Sequence, residues 1–345
     1  MQQDTKSCVA RESAGATAIV VVMYGNWPAT RCCLEVIQKR LRGNWRVVLV
    51  DNASPGPIAA DSAAWVRAQG GLVADAGVSA PQFNELPSLS LVRRGQNGGF
   101  AAGVNTGLAW AAADPGVDAF WLLNNDTEPE ANALVALHEA LANLPSVGAV
   151  ASLLVRTAAP ERVQAVGGGR YWPALGWTDQ LGEDLRRDTM PVAPVRLDQA
   201  LAASLLIPRR VLAEVGPFPE HYFMYVEDTA WCVTLRRRGF AVYGVPASIV
   251  HHAVGLSTRS EGISDYYLPR NHLWLAREQH RAFALTALAF LTIRMLAPKV
   301  LRGEWGRASS TLRGLWHGLT RRPHPCRPSG PTDRPCPDPR SESIP

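Results

Sequence analysis

Apolar positions in the first half of this chain fall in short unbroken runs. "TAIVVVMY" (17–24), "WRVVLVDNAS" (45–54), "LSLVRR" (89–94) and "VDAFWLLNND" (117–126) lack the alternation of a half-exposed strand. They read as strands covered on both faces. Helical stretches follow at about 28–42 and 129–144, and "NGGFAAGVNTGLAWAAA" (97–113) is a glycine loop entering an Ala-rich helix; a shorter helix fits near 58–69. Strand–helix alternation of this kind predicts an α/β fold, a doubly wound, mostly parallel sheet flanked by helices.

The second half is less regular. "VGAVASLLV" (147–155) reads as a strand, and 156–196, rich in Gly, Pro and Trp, as an irregular excursion. Residues 199–216 read as a strand and a short helix stopped by Gly216-Pro217. In 226–240, Glu227 and Asp228 begin a helix, arginines end it and Gly239 lies just past it, which matches helix-end electrostatics and capping. "FAVYGVPASIVHH" is a last strand, and 266–297 read as helices.

Where these strands end, the chain turns polar. Asp51-Asn52, Asn97-Gly98-Gly99 and Asn124-Asn125-Asp126 each follow an apolar run, and Glu227-Asp228 opens a helix. Any one of these reads most simply as a turn or cap. Three at one edge of a parallel sheet read differently, because such sheets bind ligands beyond the carboxyl ends of their strands. Glu227-Asp228 sits in the apolar setting "HYFMYVEDTAW". A partly buried ionised carboxylate there suits a general base. His251 and His252 close the last strand; beside Asp126, a neutral imidazole would complete a divalent metal site.

Charge and composition narrow the classes. Of the net +5, residues 270–322 carry ten Lys/Arg against two Asp/Glu, and 1–269 carry 22 against 25. A local basic face is expected, not a nucleic-acid-binding surface. The first 18 residues lack the apolar segment of a signal peptide, and the six cysteines show no metal spacing, so reduced thiols and a cytoplasmic location are expected. Within 280–322 the apolar part, about 282–293, reads as too short to span a bilayer. These helices either pack on the domain or, with Trp305 and Trp316, rest on anionic membrane at its inner face.

Taken in order, "VVMYGN", "VVLVDNAS", "NGGFAAGVNTG", "WLLNNDT", "ASLLIPRRVLAEVGPFPEHYFMYVEDTAWCVTLRRRGF", "VPASIVHHAVGLS" and "YYLPRNHLWLARE" resemble the family 2 glycosyltransferases of GT-A fold, in the bacterial rhamnosyltransferase-like branch. The resemblance covers about 17–280. It implies that Tyr24, Asp51 and Asn52 contact the nucleotide, that Asn97 and Gly99 line its pocket with Asn124 and Asn125 alongside, and that Asp126 and His252 hold Mg2+ or Mn2+. Asp228 matches the catalytic base. Where the family has the first acid of Asp-X-Asp this chain has Asn124, which implies weaker metal affinity. The implied reaction is inverting transfer from a nucleoside-diphosphate sugar, dTDP-rhamnose for this branch, to a glycan or lipid-linked acceptor in cell-surface polysaccharide synthesis.

The expected organisation is a flexible stretch 1–16, a catalytic domain 17–265 (17–128 for the nucleotide, 129–265 for acceptor and catalysis), a basic helical segment 266–322, and a disordered Pro-rich tail 323–345. Two rivals are weighed. A dinucleotide-binding dehydrogenase needs Gly-X-Gly-X-X-Gly after the first strand, where this chain has "MYGNWPAT". A catalytically inactive sugar-nucleotide-binding scaffold fits Asn124 but leaves Asp126 and Asp228 without a purpose.

Overall fold

The computed structural model describes residues 15–77, 85–253 and 262–320. The Pro-rich tail and nearly all of the N-terminal stretch lie outside the described residues. The first half runs β1 (Ala16–Met23), α1 (Trp27–Arg40), β2 (Trp45–Asp51), α2 (Gly56–Ala68), β3 (Leu72–Asp75), β4 (Leu89–Arg93), α3 (Gly99–Ala111), β5 (Val117–Asn124), β6 (Thr127–Pro129) and α4 (Ala133–Asn143). Strands β3, β4, β2, β1 and β5 lie side by side in that order, all parallel.

The unbroken apolar runs have a simple cause. Every residue of β1 is buried. Ala18, Val20 and Val22 face a core shared with α3, while Ile19, Val21 and Met23 face a second core with α1 and α4. Successive side chains point to opposite faces, so a strand with helices on both faces shows no alternation. The edge strand β3 escaped the sequence reading because it has four residues and none is buried.

The second half holds β7 (Val147–Arg156), β8 (Ala159–Val166), β9 (Gly168–Trp172), β10 (Trp177–Gln180), β11 (Val195–Leu197), β12 (Gln199–Ala200), β13 (Ser204–Pro208), α5 (Arg209–Val215), α6 (Glu227–Arg237) and β14 (Ala241–His252). The main sheet continues from β5 through β13, β7 and β14 to β11. Strand β13 is antiparallel to both neighbours, and β14 is parallel to β7. Segment 156–196 is not irregular, as the sequence reading had it. It supplies β8 to the main sheet, and β9 and β10 to a small sheet with β12. The hairpin pairs Trp172 with Trp177 around Pro173–Leu175.

The C-terminal helices are α7 (Ile263–Gln279), α8 (Phe283–Leu291), α9 (Ala297–Leu301) and α10 (Trp305–Thr320). A boundary at 265 falls inside α7. Trp274 and Leu275 of that helix pack with Tyr222, Val226, Ala230 and Val233, and its Leu273 and Ala276 pack with α8 and α10. A π-helical turn at Thr292–Leu296 joins α8 to α9, so one helix runs from Phe283 to Leu301. Its 19 residues are long and apolar enough to cross a membrane by length and composition alone. That corrects the reading of this segment as too short; the sequence estimate stopped at Arg294, which the helix carries through.

Candidate active site

Two loops frame one side of the site at the carboxyl edge of the sheet. Asp51 is buried, and its Oδ1 accepts the Ser54 N–H (2.8 Å). The Ser54 hydroxyl accepts the Gly25 N–H (2.9 Å). This chain ties the end of β2 to the end of β1 and leaves Tyr24 52% exposed. Buried Asn52 donates to Asn97 Oδ1 and to the Gly99 carbonyl, both at 2.9 Å. Asn97 Oδ1 also accepts the Gly99 N–H (2.9 Å). Asp51, Asn52 and Asn97 therefore spend hydrogen bonds on holding their own loops. Tyr24 is the aromatic face these loops leave open.

Strands β5, β6 and β14 build the next corner. Strand β14 ends beside β6, with His252 opposite Thr127. His252 Nε2 lies 3.2 Å from Asp126 Oδ1 and 3.3 Å from Asn124 Nδ2. Its Nδ1 lies 2.8 Å from Gln164 Oε1 on β8, an acceptor, so Nδ1 carries the proton. In the neutral ring the Nε2 lone pair confronts a carboxylate oxygen, an arrangement that a cation relieves. Two cis ligands about 2.1 Å from an octahedral ion stand about 3 Å apart, close to this separation. Among the described residues no group of three or more His, Cys, Asp or Glu side chains is placed to hold a metal. The pair thus fits a hard cation that draws its other ligands from water or a diphosphate. The other predicted neighbours turn away: Asn125 Nδ2 donates to Thr30 Oγ1 on α1 (2.8 Å), and His251 Nε2 meets Glu130 (3.2 Å).

The loop leading into β13 joins this corner to the acids of α6. The Asn124 N–H donates to the Ala203 carbonyl (3.1 Å). One residue earlier, the Ala202 N–H donates to Asp228 Oδ2 (3.2 Å). Asp228 Oδ1 also accepts the Thr229 N–H (2.7 Å). Burial raises the pKa of Asp228, and these donors oppose the rise. Burial and the neighbouring Asp228 raise Glu227 further; its Oε2 is buried without a hydrogen-bond partner among the described residues. The two environments differ: Glu227 is raised the more, and Asp228 holds the N–H donors that favour a carboxylate. Gln164 and the 201–203 loop had no sequence signal, since one lay in the supposed excursion and the other acts through its backbone.

Two curated relatives, N-acetylglucosaminyl-diphospho-decaprenol L-rhamnosyltransferases from two strains of Mycobacterium tuberculosis, are 29% identical over 229 residues, 58% of this chain and 73% of theirs. Residues 18–165 match the family model described as Glycosyl transferase family 2. Residues 18–165 are thus similar to glycosyl transferase family 2. The chain's fold is shared by solved glycosyltransferases. GalNAc-T7 with UDP, GalNAc and Mn2+ superposes with a TM-score of 0.58 at 12% identity, covering 90% of this chain and 57% of that one. The chain therefore spans little more than half of that protein. A mannosyltransferase from Pyrobaculum calidifontis, solved with GDP-Man and Mn2+, gives 0.50 at 17%, covering 88% and 84%. In this glycosyltransferase the family model takes in every strand from β1 to β7; Asp228 and His252 lie beyond it.

Proposed function

We propose that this enzyme is an inverting rhamnosyltransferase that moves L-rhamnose from dTDP-rhamnose to a hydroxyl of an N-acetylglucosaminyl-diphospho-lipid in cell-surface polysaccharide synthesis. The observation that carries this reading is the shared loop: Asn124 and Asp228 bond to adjacent residues, Ala203 and Ala202, so the diphosphate corner and the base stand side by side. The named activity of the mycobacterial relatives supports the donor and acceptor. Tyr24 and the loops at Asn52 and Asn97 receive the nucleotide. Asp126 and His252 would hold Mg2+ or Mn2+ with the donor diphosphate, as the Mn2+ in both solved relatives supports. When bound, that ion offsets charge on the departing dTDP. Asp228 takes the acceptor proton as the hydroxyl attacks the anomeric carbon from the face opposite dTDP, and one displacement inverts the centre.

We also place the enzyme on the membrane surface. Leu285, Ile293 and Leu301 are 72%, 71% and 86% exposed on the long helix, and Trp305 and Trp316 of α10 are exposed as well. Its other flank is held by protein: Lys299 pairs with buried Asp265 (3.2 Å), and Arg294 lies over Trp177. A helix docked along one side suits an interfacial position better than a bilayer crossing.

The test is release of dTDP from dTDP-L-rhamnose with a synthetic N-acetylglucosaminyl-diphospho-lipid, with Mn2+ and with chelator. Asp228→Asn should lower kcat about 10²–10⁴-fold and leave dTDP affinity within a few-fold. Normal turnover in that variant would reject Asp228 as base. No transfer by the unaltered enzyme from any of a panel of nucleotide sugars would favour a binding protein.

A further inference from the structure

We propose that Arg270 and Asn271 of α7 are positioning residues that set the base Asp228 by clasping the backbone at 222–226, where three non-glycine residues are held at positive φ. The proposal rests on Asp228 being the base. Phe223 has φ 66° and ψ −63°, and the Met224 N–H donates to the Tyr222 carbonyl (2.8 Å). That is a γ-turn of the strained hand. Tyr225 (φ 65°) and Val226 (φ 71°) follow, and a β-branched residue in that region is an outlier. Val226 is the residue before α6, so its angles aim the first turn that carries Asp228.

Such a turn persists only when its surroundings fix it. Here the fixing groups come from α7. Asn271 Nδ2 lies 3.0, 2.8 and 2.8 Å from the carbonyl oxygens of Tyr222, Met224 and Tyr225. Arg270 Nη2 donates to the Tyr222 carbonyl (2.8 Å), and its Nε donates to Asn271 Oδ1 (2.8 Å), orienting the amide. The guanidinium lies 4.5 Å from the Tyr267 ring centroid and 4.2 Å from that of Trp274. Tyr267 stacks on Phe223 at 5.2 Å. Three carbonyls gathered on one amide repel one another without it, and the chain would relax toward negative φ. The turn's fourth carbonyl, at Phe223, instead accepts the Phe100 N–H (2.6 Å) from the first turn of α3, just after the Asn97–Gly99 loop. The clasp therefore fixes the base relative to the nucleotide loop.

Asn271→Ala is assayed with dTDP-L-rhamnose and the synthetic N-acetylglucosaminyl-diphospho-lipid. Displacing the base by about 1 Å should cost about 10²-fold in kcat, with dTDP affinity within about threefold. The acid limb of the kcat profile should move to lower pH, as water reaches Asp228. Adding Val226→Gly should restore about tenfold, because glycine takes positive φ without strain. A loss of buried packing would not be repaired this way. Arg270→Lys, which keeps the charge and loses the fork, should give the same pattern more weakly. Unchanged kcat in both Asn271→Ala and Arg270→Lys, or parallel loss of kcat and dTDP affinity with no rescue by glycine, would overturn the clasp while leaving the base reading intact. Normal turnover in Asp228→Asn would overturn both.

Discussion

Asp126 and His252 present two donor atoms to one point, so each should matter to the donor in proportion to its charge. Asp126→Ala should weaken Mn2+-dependent dTDP binding by about 10–100-fold. His252→Ala should do so less, and His251→Ala hardly at all, because His251 is engaged with Glu130. Titration of dTDP with Mn2+ and with chelator checks this; equal affinities in both would remove the metal. Glu227 makes a different prediction. Its folded pKa lies well above the unfolded value through burial and Asp228, so folding is favoured by its proton. That stability is complete below the unfolded pKa, about 4.3, and is lost as pH rises through the folded pKa. Glu227→Gln should match the parent at pH 4 and melt at a higher temperature at pH 8. The acids and the imidazole at element ends were legible because they are chemically distinctive. Gln164 and the Ala202 N–H were not, since an isolated amide has no sequence pattern.

At the scale of elements, one tight joint is where α3 begins. Gly99 has φ +85°, and a Cβ there would lie 2.1 Å from the Phe223 carbonyl oxygen. Gly99→Ala should therefore lower the unfolding free energy by about 2–4 kcal/mol, measured by urea denaturation, and reduce kcat as well. Retained stability would mean that the turn at Phe223 yields easily. The parallel strands were readable because two covering layers of helix make them apolar throughout. Segment 156–196 was not, because β9 is glycine-rich and β10 has four residues, none of them buried. Motif "YYLPRNHLWLARE" was visible as a pattern, but its contact with 222–226 lies about 45 residues away in sequence and only the fold reveals it.

For the whole molecule, the exposed apolar side chains and the basic surplus of residues 270–322 predict salt-sensitive co-sedimentation with anionic vesicles. Leu285→Glu with Ile293→Glu should abolish it and leave dTDP binding unchanged. Equal binding to neutral and anionic vesicles, or none to either, would reject the contact. Truncation after Arg281 is a poor test in this fold. It removes α10, whose Gly314 packs so closely that a Cβ there would lie 2.3 Å from the Tyr266 carbonyl of α7. Losing that cover would loosen α7 and its hold on the base.

The antiparallel strand β13 also governs how the chain must be made. Strand β5 is apolar along nearly its whole length, and one of its edges is covered by β13, where Trp121 bonds to Ser204, 83 residues further on. At 5–20 residues per second a ribosome takes roughly 4–17 s to supply that partner. Until then the nucleotide-binding half has an unpaired hydrophobic edge, which is a template for aggregation. A fragment ending before Ser204 should therefore be insoluble when expressed alone.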